Sequence, residues 1–495
     1  MRTKPLSAWR VVLAATALLA AGVAHAAATI TIVNGNAAGV GFNDATPALP
    51  IGGNPGTTLG QQRLNAFLYV ASIWGAQLSS SVETKILATF EALTCTATGA
   101  VLGSAGPRDV ESDFPGAPVA GTWYHVALAN KLAGTDLFPA ALDASPAGGG
   151  AEIRARFNSR IGLFSDCLPG SPFYLGLDGN KGNAIDLVEV LLHEFAHGLG
   201  FSTVTFGGDG TQLAGQPSIY DYFAFDNTVG RNWAQMTDAE RIASAINPRA
   251  LVWTGANVRE AAPSVLSLGT PRMKVRDPES LEGTYLVGAA AFGPPLESPG
   301  LTRRVAAVVE AGVLGTACVP LDEANTRAVR RKIALVVRGA CAFTQKVLNA
   351  QSAGAVGVIV VENLATTPPA ELGGSDPSIT IPAVRVTRAD GNALFAALTA
   401  PKSGWEGKGY GHDDDDDGEV VVNLGVDKKQ LAGADKRGRV MLYTPSPFQP
   451  GSSVSHWDTS ARRNQLMEPA INADLTQFVL PPYDLTLPML KDIGW

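Results

Sequence analysis

His193-Glu194-Phe195-Ala196-His197-Gly198-Leu199-Gly200-Phe201-Ser202-Thr203 is the stretch on which the reading of this 495-residue chain turns. Just before and within it, apolar Leu187, Val190, Leu191 and Phe195 recur with helical spacing, so a helix is expected from about Ile185 to Gly198. Asn183 is the expected cap, and Gly198 and Gly200 the stop. Residues four apart on a helix lie one above the other, so the imidazoles of His193 and His197 can point at one ion about 2.0–2.1 Å away. Glu194, beside the first of them, is placed to hold a water rather than the ion. Zinc brings such a water's pKa to about 7, within reach of a carboxylate base. Two unrelated histidines on a surface helix are the plainer alternative, but the whole chain has only six histidines.

A catalytic zinc takes three protein ligands and keeps a fourth position open. The stretch above offers Thr203, not a ligand, after its glycines, so the third must come from elsewhere. Downstream lie His412 and His456. Ser455-His456-Trp457-Asp458 leads to Asn464-Gln465-Leu466-Met467-Glu468-Pro469. A glutamate from a downstream helix is the rival ligand, with Glu240 the best placed.

These two segments resemble metzincin zinc peptidases of the leishmanolysin type. Gly200 stands where metzincins turn the chain sharply after their zinc helix. Most of them place a third histidine three residues later, where this sequence has Thr203. In the leishmanolysin type an insertion separates the zinc helix from a His-Trp ligand segment, and a Leu-Met turn follows. The resemblance implies His456 as third ligand and Met467 as the Met-turn residue, a soft apolar floor that does not compete for the ion.

Further along, Ala317-Cys318-Val319-Pro320-Leu321 and Ile333 to Phe343 resemble a protease-associated domain. So do Lys346-Val347, Ala350 to Ala355 and Ile379-Thr380-Ile381-Pro382-Ala383. The strand–helix–strand pattern here, Ile333 to Val337, Phe343 to Ser352, then Val356 to Val361, independently suggests a compact α/β unit. The resemblance implies a non-catalytic accessory module and a Cys318–Cys341 bridge. Four cysteines allow three pairings. Proximity and the domain split favour Cys95–Cys167 together with Cys318–Cys341.

Working outward to the ends, Arg2, Lys4 and Arg10 precede an apolar run and Ala24-His25-Ala26, the pattern of a signal peptide over residues 1–26. Without that leader the net charge moves from −7 to −10, which gives no reason to expect nucleic acid as a partner. No later apolar run is long enough to span a membrane. The expected architecture is α+β: a metzincin-like peptidase domain in two segments, 27–276 and 406–495, interrupted by an α/β protease-associated domain at 277–405. The short amphipathic helix from Met236 to Ile246 opens at Thr237 or Asp238.

His125 reads as a satisfied strand histidine. Asp413 to Asp417 with Gly418 resemble half of a calcium loop, but Leu424 stands where its glutamate belongs; a solvated linker is the plainer reading. The function expected is that of a secreted zinc endopeptidase acting on proteins or peptides, with Glu194 as base. A non-catalytic, zinc-stabilised adhesin or capture module is the alternative. A serine peptidase is disfavoured because no Gly-x-Ser-x-Gly appears.

Overall fold

Along Thr84–Glu91 buried and half-buried residues alternate, as an inner strand with one face on the core requires. The computed structural model describes residues 27–97, 99–143, 148–365, 369, 371–374, 376–400, 419–472 and 474–495. Its first sheet has four strands: β1 (Ile30–Asn34), β2 (Thr84–Glu91), β3 (Gly103–Pro107) and β4 (Ile153–Asn158). They lie in the order β1-β2-β4-β3, the first three parallel and β3 antiparallel at the edge. Parallel neighbours need crossover connections. Helix α1 (Leu59–Gln77), capped by the Thr58 hydroxyl on the Gln61 amide, joins β1 to β2, and α2 (Val126–Ala133) lies between β3 and β4.

Helix α3 (Leu187–Leu199) carries the His-Glu-x-x-His sequence, and every one of its 13 residues is buried. Phe67 of α1 joins it to the sheet. Its ring packs on Phe42, on Phe90 and Phe157 of β2 and β4, and on Phe195 of α3, at centroid distances of 4.8–5.9 Å. Helices α4 (Asp238–Ala245) and α5 (Ala256–Val265) follow, α4 with the expected Thr237 cap. One hydrophobic core gathers residues from Ala28 to Leu266 and again from Ala434 to Ile493. Two stretches of chain therefore build a single body.

Between them lies an eight-stranded sheet. Its strands are β5 (Leu268–Asp277), β6 (Gly283–Leu286), β7 (Gly288–Ala289), β8 (Leu301–Ala307), β9 (Ile333–Val337), β10 (Gly357–Val361), β11 (Ala383–Val386) and β12 (Val421–Leu431). The spatial order is β6-β5-β12-β8-β9-β10-β11-β7, with β8 to β11 running parallel. Apolar clusters cover both faces, and β9 (Ile-Ala-Leu-Val-Val) and β10 (Gly-Val-Ile-Val-Val) accordingly hold no polar side chain. Helices α6 (Phe343–Ser352) and α7 (Arg388–Thr399) belong to this unit, and α8 (Thr486–Ile493) closes the body.

The unit's sheet begins and ends outside the expected bounds of 277 and 405, because β5 and β12 pair with each other over most of their length. The cap of α3 is Asp186, not Asn183. Ile185 and Asp186 are held in a short parallel pairing with Phe173 and Tyr174, and the helix can start only after it. Both disulfides are formed, Cys95–Cys167 and Cys318–Cys341. The leader at 1–26, the linker, His412 and Asp413 to Asp417 with their calcium reading lie outside the described residues.

Because Phe67 touches both the sheet and α3, Phe67→Ala should cost about 3–5 kcal/mol in chemical unfolding. A loss below about 1 kcal/mol would mean that the two do not share a core there.

Candidate metal centre

The Asp186 carboxylate accepts from the Val188 amide at 2.8 Å and from the Gln477 side-chain amide at 3.1 Å, fixing where α3 begins. At the other end Gly200 has φ +129°, and a β-carbon there would stand 2.6 Å from Cδ1 of Ile493. Only glycine fits both demands. The reversal turns the Phe201 carbonyl back toward the helix, where it accepts from His197 Nδ1 at 2.8 Å. Gly198 allows the same helix to lie against β4, since a β-carbon would meet Ile153 Cγ2 at 2.4 Å.

His456 arrives from the tail. Leu442 bridges Trp457, the Tyr443 amide donates to the His456 carbonyl at 2.8 Å, and Met441 bridges Val252. Trp457, fully buried, packs edge-on to Phe201 at 5.0 Å and to Trp253 at 6.3 Å. Its amide donates to the carbonyl of Met467, which is itself fully buried. The preceding Leu466 carbonyl accepts from His193 Nδ1 at 2.7 Å, and the Leu466 amide is held by Asp484 at 2.7 Å. His456 Nδ1 donates to the Ser452 carbonyl at 2.8 Å.

The three Nε2 atoms of His193, His197 and His456 thus form a triangle with sides of 3.1, 3.2 and 3.2 Å. A carbonyl can only accept, so each Nδ1 carries the ring proton and each Nε2 a lone pair. Three lone pairs facing one another repel unless a cation sits among them. Two bonds of 2.0–2.1 Å at a tetrahedral angle place their nitrogens roughly 3.3–3.4 Å apart, close to this triangle. Burial pushes His193 down to about 4, His197 to about 3 and His456 well below the ordinary range, so the rings stay neutral. Imidazoles backed by carbonyls are a donor set that fits zinc.

Glu194 lies beside them, 8% exposed. Burial pushes its carboxyl up to about 8, and a hydrogen bond from the Ala105 amide of β3 pulls the other way. Edge strand β3 runs so close that a β-carbon on Gly103 would stand 3.0 Å from Glu194 Cγ and 2.9 Å from Phe157 Cε1. Sequence reading missed this strand, whose Gly-Ser-Ala-Gly-Pro composition carries no β signal. A cleft of about 1410 Å³ opens over the three histidines and Glu194, walled by Leu102 and Ala105, by Phe206 and Phe448, and by Glu468 and Ile471.

Thr203 has a different task from a ligand. Its hydroxyl and that of Thr205 each donate to the buried Asp221 at 2.6 Å, and its amide donates to Ser455 Oγ at 3.3 Å. The rival Glu240 is not in the cluster; it closes the capping box on Thr237 and pairs with Arg231 at 3.1 Å. His125 is buried near the end of α3, where burial pushes it down to about 4 and the Gly198 and His197 carbonyls raise it.

Against known families, residues 304–394 match the PA domain model. Among curated relatives, the minor extracellular protease Vpr of Bacillus subtilis (strain 168) is 27% identical over 231 residues, 45% of this chain and 25% of Vpr. Aminopeptidase YwaD of the same organism is 31% identical over 166 residues, 31% of this chain and 34% of YwaD. Vacuolar-sorting receptor 2 of Arabidopsis thaliana is 34% identical over 140 residues, covering 26% and 22%. The chain thus spans about a third or less of these relatives, and their names range from proteases to a sorting receptor. Among solved structures, a zinc aminopeptidase from Bacillus subtilis aligns over 34% of this chain and 36% of its own, with 19% identity and a TM-score of 0.22. That score is too low to carry the fold of the whole. The inserted unit contains a PA domain, residues 304–394.

Gly200→Ala should destabilise the protein by about 1–3 kcal/mol, through its backbone conformation and the Ile493 clash. Thermal unfolding measures this; an unchanged midpoint would show that the reversal after α3 does not need glycine.

Proposed function

We propose that the protein is a secreted zinc-dependent endopeptidase of metzincin-like, leishmanolysin type that hydrolyses peptide bonds in proteins or peptides. The observation that carries this reading is the convergence of three carbonyl-backed Nε2 lone pairs beside a buried carboxylate in an open cleft. His193, His197 and His456 hold the zinc, and Met467 is the Met-turn residue. When bound, zinc supplies Lewis acidity and brings the pKa of water to about 7.

Glu194 accepts the proton of the attacking water and later delivers it to the leaving amine. Burial, opposed by the Ala105 amide, holds the Glu194 carboxyl at about 8, and a divalent ion bound nearby would lower it toward the ionised form this task needs. The carbonyls of Leu466, Phe201 and Ser452 keep the three rings in the ligating tautomer. The cleft exceeds the usual small-ligand range of about 300–1000 Å³, which leaves room for a polypeptide segment. Two disulfides and the leader-like residues 1–26 support export. Among the described residues no helix is long and apolar enough to cross a membrane.

An internally quenched peptide blocked at both ends should be cleaved by the purified protein, and a zinc chelator should stop it. Glu194→Gln should keep its zinc and lose at least about a hundredfold in rate. Full activity in that variant would overturn Glu194 as base. A zinc-loaded wild type without turnover on any peptide would leave a non-catalytic capture module.

A further inference from the structure

The segment that delivers the third imidazole is fastened to the PA insert as well as to the body. The chain leaves the body after Leu266 and re-enters it at Ala432. At that junction the Ala432 amide donates to the Ser267 carbonyl at 2.9 Å, and the Ser267 amide donates to the Arg462 carbonyl. Gly433 approaches so closely that a β-carbon on it would lie 2.6 Å from Ala461 Cα. The return from the insert therefore packs backbone against backbone on the stretch between His456 and Met467.

Two arginines extend the same contact. Glu371 of the insert forms an ion pair with Arg462. Glu371 is itself anchored, since its carbonyl accepts from Arg385 of β11 at 2.5 Å and Arg385 pairs with the buried Glu362 at 3.1 Å. The carbonyl of Val287, also in the insert, accepts from Arg249 Nη2 at 3.4 Å. Arg249 Nε faces Asp458 at 3.5 Å, with side-chain exposures of 9% and 0%. Asp458 is two residues beyond His456, and its amide donates to the Met441 carbonyl at 2.9 Å. Breaking an ion pair this buried from one side leaves an uncompensated charge, so the pair constrains the placement of both side chains.

We infer that the PA insert is a working part of the metal centre, and that Arg249 and Arg462 are positioning residues which transmit its placement to His456. The inference rests on His456 being the third ligand. Whatever displaces the insert, a captured polypeptide included, then changes the hold on zinc. The coupling is reciprocal: zinc binding steadies the insert against the body.

The test is zinc affinity of the full-length protein, measured by competition with a chromophoric chelator, for Glu371→Gln, Arg462→Gln and the double variant. Metal-free unfolding is recorded alongside. Each single change should weaken zinc binding by about tenfold, and the double change by no more than the larger single, since Glu371 acts through Arg462, which also bonds Asn464 Oδ1 at 3.1 Å. Singles that lower metal-free stability yet bind zinc like the wild type overturn the inference, as do singles whose effects add. His456→Ala run in parallel separates the two levels. If it abolishes tight binding while the insert variants do not, only the coupling is wrong; if it leaves affinity unchanged, the ligand assignment falls and the inference with it.

Discussion

Three imidazole nitrogens with lone pairs turned toward one another at 3.1–3.2 Å are electrostatically untenable alone, and the structure spends much of its architecture on holding them there. Each ring is locked by a carbonyl at its far nitrogen, and each carbonyl is presented by a separate device. A glycine reversal supplies Phe201. A loop pinned by Asp484 supplies Leu466. A turn just before His456 supplies Ser452. Together these fix tautomer and direction before any ion arrives, which lowers the reorganisation that binding requires.

Long-range packing makes the arrangement possible. Helix α3 is buried throughout, so its direction follows from the sheet below it and from Phe67 at its side. The tail segment is clamped by Trp457 between Phe201 and Trp253, and by Thr203 and Tyr220, which bond Ser455 and the Val454 carbonyl. The PA domain interrupts this body without splitting its core, because entry and exit run side by side as the antiparallel pair β5 and β12. Ends that meet make an insertion cheap. Here the meeting point also touches the segment that carries His456, while the insert stays outside the cleft.

What could be read from sequence follows the range of the interactions. His193, Glu194 and His197 are legible because a helix fixes their spacing locally, and the helix shows in its apolar period. His456 is 259 residues from His197, and no local pattern encodes that meeting; only the resemblance of the His-Trp and Leu-Met segments pointed to it. The cap at Asp186 was misplaced to Asn183 because a tertiary strand pairing, invisible in sequence, delays the helix. Strand β3 lacks β-formers altogether. Strand β5 did carry a signal, Met273 and Val275 alternating with Arg272, Lys274 and Arg276, and the expected domain boundary at 277 stopped just after it. The ties from Glu371 to Arg462 and from Val287 to Arg249 depend on tertiary placement alone.

What occupies the triangle decides whether His193, His197 and His456 form a metal site. Diffraction data collected at the zinc absorption edge, from crystals grown with the metal, locate the ion independently of any activity. One anomalous peak about 2.0–2.1 Å from Nε2 of His193, His197 and His456 is the predicted result. A peak held by only two of these rings, with another side chain completing the coordination, or a peak elsewhere in the molecule, would contradict it.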